Sequence, residues 1–341
     1  MTALPGRCTT GLHPGSMSNN EATPGSASSR DHAFERAQAA YLDRCAPGHR
    51  TRRVRWSGGT TQIIELGEGP PLLLLHGGLG EAIQWANILP ALARKHRVMA
   101  VDRPGHGLAD PFDYGEVDLL ACARRFLGEL LDAEGLASVP IVAASMGGLW
   151  SLDFALTHPQ RVPRLVLTGA PAGVTRTLPL QMRLGTLPVL KTLVRSMMRQ
   201  PTRDSTRAFW KQLLVAHPER LSDDLVDLLT ESQRRNAPSW FTLIDRAFDV
   251  RGMKKGLLLT GRWKDLPVPT TLVWGERDAW GGPALGEAIA SMNPRVRMVR
   301  IPDAGHAVWM DAPELVVEAI EGALSGEEFV HSLTARRASP S

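Results

Sequence analysis

The dominant pattern along the chain is a series of short runs, apolar at nearly every position: Leu72–Leu75, Val98–Val101, Ile141–Ala144, Leu165–Leu167 and Thr271–Trp274. Each is followed by a turn and then by a helix-like stretch. Strands apolar on both faces belong in the middle of a parallel sheet, where crossover helices cover both sides. Val296–Ile301 (Val-Arg-Met-Val-Arg-Ile) is a further strand, less uniformly apolar. Ala33–Leu42, Asp118–Asp132 and Leu149–Thr157 carry helical signals. Upstream, Arg52–Trp56 and Gln62–Leu66 flank Ser57-Gly58-Gly59, which suits a β-hairpin. The pattern therefore predicts a doubly wound, mostly parallel α/β sheet with an antiparallel hairpin at its N-terminal edge.

One segment breaks this rhythm. Residues 172–266 contain no convincing buried strand, only amphipathic helical stretches at Leu187–Arg199, Arg203–Ala216, Ser222–Asn236 and Trp240–Val250. In the third, Ser222 is placed to cap, and Leu225, Leu228 and Leu229 fall on one face. The resulting division is a leader (1–32), a first core part (33–171), an inserted helical cap (172–266), a second core part (267–325) and a flexible tail (326–341). The leader is rich in Gly, Ser, Thr, Asn and Pro, with little apolar periodicity.

Composition adds exclusions. With 341 residues and 43% apolar positions the chain is an ordinary globular protein rather than a disordered or fibrous one. No apolar stretch is long enough for a bilayer-spanning helix. Three scattered cysteines (Cys8, Cys45, Cys122) suggest neither a disulfide framework nor a zinc module. No apolar export signal precedes Cys8, so a cytoplasmic location is expected. The arginines at 52, 53 and 55 alternate with apolar positions and read as a solvated strand face, not as a nucleic-acid surface.

The formal charge of +4 is unevenly distributed. Residues 172–266 hold 17 Lys+Arg against 9 Asp+Glu, so the basic excess belongs to the cap. Such an excess can steer anionic substrates inward or merely solvate outer helix faces. A membrane-surface role would call for a strongly amphipathic cationic helix with Trp or Phe on its apolar side, and none stands out.

Candidate chemistry centres on Ile141-Val142-Ala143-Ala144-Ser145-Met146-Gly147-Gly148, an apolar strand entering a helix through small residues. A Ser in so tight a turn takes a strained backbone conformation and lifts its hydroxyl above the sheet edge. The turn leaves little room two residues to either side, where Ala143 and Gly147 stand. Leu75-His76-Gly77-Gly78-Leu79-Gly80 follows an earlier strand, and Val101-Asp102-Arg103-Pro104-Gly105-His106-Gly107 follows the next. Asp278 and His306 each lie just past a later strand. Strand ends on one edge of a parallel sheet converge, so Ser145, Asp278 and His306 can meet across long sequence separations.

From about Val54 to Leu324 the chain resembles the α/β-hydrolases. Ala143-Ala144-Ser145-Met146-Gly147 is similar to that family's G-x-S-x-G elbow, with Ala143 in place of the first glycine. The resemblance implies a Ser145–His306–Asp278 triad, with Asp278 preferred over Glu276 as the acid. It also implies an oxyanion hole from the backbone N–H groups of Gly78 and Met146, and no metal or cofactor. His76 is expected to brace the loop, and Asp102 and His106 to lie outside the triad. The implied activity is hydrolysis of a small-molecule ester. Ser145-Met146-Gly147-Gly148, Phe154-Ala155-Leu156 with Pro159 and Arg161, and Trp85 with Asn87 are similar to carbon–carbon hydrolases of meta-cleavage dienoates. Ala144 departs from the Asn those enzymes commonly carry before the nucleophile. Cofactor-free perhydrolases and non-catalytic ligand-binding relatives are further alternatives. Trp85 and Trp309 are candidate substrate contacts, and the anionic dienoates would suit a basic cap.

Overall fold

A computed structural model describes residues 29–326, so nearly all of the sequence-defined leader and tail, including Cys8, lies outside it. The described residues open with α1 (Ser29–Cys45), then a hairpin of β1 (Arg50–Trp56) and β2 (Gly59–Leu66). Next come β3 (Pro71–Leu75), α2 (Leu89–Leu92), β4 (Arg97–Val101), α3 (Leu119–Ala133), β5 (Ile141–Ala144), α4 (Ser145–Thr157) and β6 (Leu165–Thr168). Four helices follow: α5 (Leu180–Gly185), α6 (Pro188–Arg199), α7 (Arg203–Leu213) and α8 (Asp223–Ala247). A two-stranded ribbon, β7 (Phe248–Asp249) and β8 (Gly252–Met253), leads back toward β9 (Thr270–Gly275). The described residues close with α9 (Pro283–Ala290), β10 (Val296–Ile301), α10 (Val308–Asp311) and α11 (Pro313–Ser325).

Eight strands form one sheet in the order β1-β2-β4-β3-β5-β6-β9-β10. Both pairings of β2 are antiparallel, and every pairing from β4 to β10 is parallel. Alternation along β3 explains its uniform apolarity: Leu73 and Leu75 join the core that includes α3 and α4, while Leu72 and Leu74 join that of α1, α2 and α11. The parallel registers Leu75↔Ala143, Ala144↔Thr168, Thr168↔Val273 and Gly275↔Ile301 align the C-terminal ends of five neighbouring strands. Every candidate catalytic side chain lies just beyond that edge.

Several local expectations change. Helix α1 begins at Ser29, inside the expected leader, and Asp31 in its first turn pairs with Arg235 of α8 at 2.8 Å. The two expected helices on either side of Pro238 are one 25-residue helix. An interior proline deletes a helical hydrogen bond and costs about 3 kcal/mol. Burial of Ala237, Trp240 and Phe241 offsets that cost, and Arg235 Nη1 and Asn236 Nδ2 both donate to the Gly107 carbonyl beside the break. Nor is Arg52 simply solvated. It sits with Arg97 between Glu65 and Glu134, at 2.5–3.1 Å.

Candidate active site

Ser145 is the first residue of α4 and has φ 49°, the left-handed region that a side chain rarely occupies. What forces the turn is close packing beneath it. A Cβ on Gly147 would lie 2.4 Å from the His76 carbonyl oxygen and 2.6 Å from that of Leu75, so only glycine lets α4 start this close to β3.

At the far side of the same edge, His306 Nδ1 lies 2.9 Å from both carboxylate oxygens of Asp278. The Asp278 side chain is completely buried and also accepts from the backbone N–H groups of Ala170 and Trp280, each at 2.8 Å. Three donors thus fix the carboxylate, and the carboxylate fixes the imidazole with Nδ1–H toward it and Nε2 left as the basic atom. Glu276 is exposed and makes no such contact. The ring of Trp280 lies 5.4 Å from that of His306, and its indole N–H donates to the Leu213 carbonyl at 2.9 Å.

Two supports were not evident from sequence. Gly169 has φ +68°, and a Cβ there would lie 2.3 Å from the His306 carbonyl oxygen, so β6 must end in glycine for the histidine loop to settle. Asp311 accepts from the N–H groups of Gly305, Ala216 and His217 at 2.7–2.9 Å, tying that loop to the end of α7. The only sequence signal for either would have been geometric knowledge of the neighbouring strand.

Ser145 and His306 line one cavity of about 980 Å³, its open mouth included. Gly78 and Met146 line it too. Met146 is in the first turn of α4, where N–H groups have no intrahelical partner. Buried Arg103 donates through Nη2 to the carbonyls of Gly77 (2.6 Å) and Gly78 (3.0 Å). In a trans peptide the N–H points opposite the carbonyl, so the Gly78 N–H points away from the Arg103 guanidinium that holds the Gly77 oxygen. Burial lowers the Arg103 pKa to about 10, which keeps it a cation at neutral pH. Its guanidinium also lies 5.0 Å from the centroid of the Trp150 ring.

His76, Asp102 and His106 brace these loops. His76 Nε2 accepts from the Arg103 N–H at 2.8 Å, which leaves Nδ1–H to donate to the Gly77 carbonyl at 2.9 Å. Burial and the neighbouring Arg103 cation hold its pKa well below the usual histidine range. Asp102 accepts from the N–H groups of Ala82 and Leu108, at 2.7 and 3.0 Å. His106 sits with Nδ1 2.8 Å from the Pro104 carbonyl and Nε2 2.7 Å from that of Gly78.

Glu81, on the same loop, is fully enclosed, and burial followed by repulsion from Asp102 raises its pKa from 4.5 to about 8. The folded chain therefore keeps a proton that the unfolded chain releases, and stability falls as pH rises from about 5 to 8. Glu81→Gln removes that proton uptake. The variant's thermal midpoint is expected to gain on the parent's steadily across this range, read by unfolding scans at each pH.

Trp309 lines the cavity, but Trp85 does not. Trp85 is fully buried behind Trp309 with ring centroids 4.3 Å apart, and so supports the wall instead of forming it. Asn87 has a similar part, donating to the Trp309 carbonyl at 2.5 Å. The other walls come largely from the segment between β6 and β9, including Met182, Phe209, Trp210, Leu243, Phe248 and Met253. No lining residue is Asp, Glu, Lys or Arg. The basic excess of residues 172–266 therefore does not extend into the cavity.

The alpha/beta hydrolase fold family matches residues 70–313. The chain belongs to that family. It is an α/β-fold hydrolase. Among its relatives, 2-hydroxy-6-oxo-6-phenylhexa-2,4-dienoate hydrolase of Comamonas testosteroni is 31% identical over 234 residues, covering 63% of this chain and 79% of the relative. A 2-hydroxy-6-oxononadienedioate/2-hydroxy-6-oxononatrienedioate hydrolase of the same species is 26% identical over 257 residues, covering 73% and 86%. Among solved structures, the carboxylesterase CesB of Bacillus subtilis superposes with a TM-score of 0.69 at 21% identity, covering 87% of this chain and 99% of that one. At that identity the likeness concerns the fold. No helix among the described residues is long and apolar enough to cross a membrane.

Proposed function

We propose that this α/β-fold hydrolase cleaves neutral carboxylic esters through a Ser145–His306–Asp278 triad. The observation that carries the reading is the cavity wall. Ser145 and His306 line it with mostly apolar side chains, the hydrogen-bonding Gln84, Thr175 and Thr177, and no fixed charge. Stripping water from a substrate carboxylate in such a site costs several kcal/mol when no cation or set of donors replaces it. An uncharged acyl chain enters without that cost.

In the proposed reaction His306 Nε2 takes the Ser145 proton as the oxygen attacks the acyl carbon. Asp278 stabilises the resulting imidazolium without accepting its proton. The N–H groups of Gly78 and Met146 stabilise the oxyanion, already oriented by Arg103 and by the start of α4, so little reorganisation is needed. The imidazolium then protonates the departing alcohol. Water repeats the sequence in reverse to free the acid and restore Ser145. The residues between β6 and β9 act as a cap that encloses the acyl group.

A second reading, hydrolysis of a carbon–carbon bond in a dienoate, is favoured by the relatives' names and by the Ser145-Met146-Gly147-Gly148 run. The two readings part on one comparison. With p-nitrophenyl butyrate, turnover is expected, and with a meta-cleavage dienoate the dienoate absorbance should persist. Rapid loss of that absorbance with slow ester turnover would replace the ester reading by the carbon–carbon one. Ester turnover is also expected to be nearly insensitive to added salt, because an uncharged ester gives the basic residues nothing to steer.

A further inference from the structure

Helix α6 carries aliphatic side chains on its outer surface as well as its inner one. Its exposed positions include Val189, Thr192, Leu193, Ser196 and Met197, at helical spacings that form one largely aliphatic face, with exposed Arg199 at its C-terminal end. Val189, Leu193 and Met197 are 88%, 58% and 63% exposed. Two of its three charges, Lys191 and Arg195, turn toward α8 instead. Lys191 meets Asp245 of α8 at 2.7 Å, Arg195 pairs with the same carboxylate, and Arg195 lies 5.4 Å from the Phe241 ring. Next to α6, Leu180, Leu184 and Leu187 in and after α5 are exposed as well. Large aliphatic side chains so grouped mark a contact surface, since scattered ones would need no explanation.

Charge identifies the contact. Residues 172–203 hold six Lys+Arg and no Asp or Glu, and Arg183 and Arg199 stand exposed beside the aliphatic face. Protein partners are usually gripped by buried aromatic and Arg anchors with matching hydrogen bonds. This face offers aliphatic area, two small hydroxyls and a cationic border, the combination that seats a helix in the plane of an anionic lipid surface. The patch is also continuous with the cavity, because Leu178 and Met182, before and within α5, line its wall.

We propose that α5 and α6 form a docking face for an anionic lipid–water interface. Docking there presses Val189, Leu193 and Met197 into the headgroup boundary, with Arg183 and Arg199 against the acidic headgroups. It also sets the cavity wall containing Met182 against the lipid. The absence of an aromatic residue on the apolar side, which counted against a membrane role in the sequence, is made up by the number of exposed aliphatic ones.

The test is co-sedimentation of the full chain with vesicles of pure dioleoyl-phosphatidylglycerol or pure dioleoyl-phosphatidylcholine. The parent is expected to pellet with the first and to stay largely in solution with the second. Leu193→Glu/Met197→Glu, both substitutions at exposed positions, is expected to weaken binding to the anionic vesicles by about 100-fold, roughly tenfold per side chain. Met292→Glu, exposed after α9, is the control and should bind like the parent. A parent that stays in solution with the anionic vesicles overturns the proposal, as does a double variant that pellets like the parent. So does a multi-chain assembly that ignores vesicles and that the double variant dissolves, which would assign the face to a second copy. No turnover enters this readout, so its failure leaves the ester reading untouched, and the reverse holds too.

Discussion

Ser145→Ala is expected to lower ester turnover by about 10⁴- to 10⁶-fold and to abolish labelling by a fluorophosphonate probe. The size follows from the site having one nucleophile. Without the hydroxyl, the oxyanion donors and the apolar cavity still bind and polarise an ester, and that residue of catalysis sets the floor. Alanine is the informative substitution because it keeps the Cβ in the left-handed conformation at φ 49°. The backbone strain then stays nearly constant, and the packing of Gly147 against the β3 carbonyls is undisturbed. An unchanged unfolding midpoint alongside lost labelling would isolate the chemistry. Labelling that persists in Ser145→Ala would place the nucleophile elsewhere and remove the proposed mechanism.

The sheet was legible in the sequence because its central strands are buried on two sides. Four residues such as Ile141–Ala144 announce themselves only when every one of them must be apolar. The meeting of Asp278 and His306 was legible for a related reason, since each follows a strand and strand ends share an edge. The supports were not. Gly169 needs a positive φ because the His306 carbonyl lies against it, and nothing near Gly169 in sequence announces a residue so far along the chain. Arg103 reads as one more charge until its guanidinium is found under the Gly77 and Gly78 carbonyls.

Residues 172–266 show a different limit. An amphipathic pattern says that a helix has two unlike faces, but not which of them faces inward. For α6 the ordinary assumption, apolar side in and charged side out, holds only in part: Asp245 draws Lys191 and Arg195 to the inner side beside Val194 and Met198, while Val189, Leu193 and Met197 stand outside. Met197, apolar by type, is exposed in space. Pro238 misled in the opposite direction, since it ends a helix by local rules while burial on both sides of it carries α8 through.

Asp278→Asn is expected to lower ester turnover by about 10⁴-fold while the chain remains folded. The carboxylate receives only donors: the imidazole Nδ1–H and the N–H groups of Ala170 and Trp280. An asparagine must turn its NH₂ toward one of them. If it faces a backbone N–H, a buried donor loses its acceptor, at a cost to stability of about 1–3 kcal/mol. If it faces the imidazole, the ring shifts its proton to Nε2, the atom that must be free to take the proton from Ser145. The observable is therefore double, a modest drop in the unfolding midpoint and a far larger drop in the rate of acylation. Glu276→Gln makes the contrast. That side chain is exposed, and its loss of charge should leave both quantities unchanged. If Glu276→Gln proved inactive and Asp278→Asn active, the acid partner would have to be reassigned.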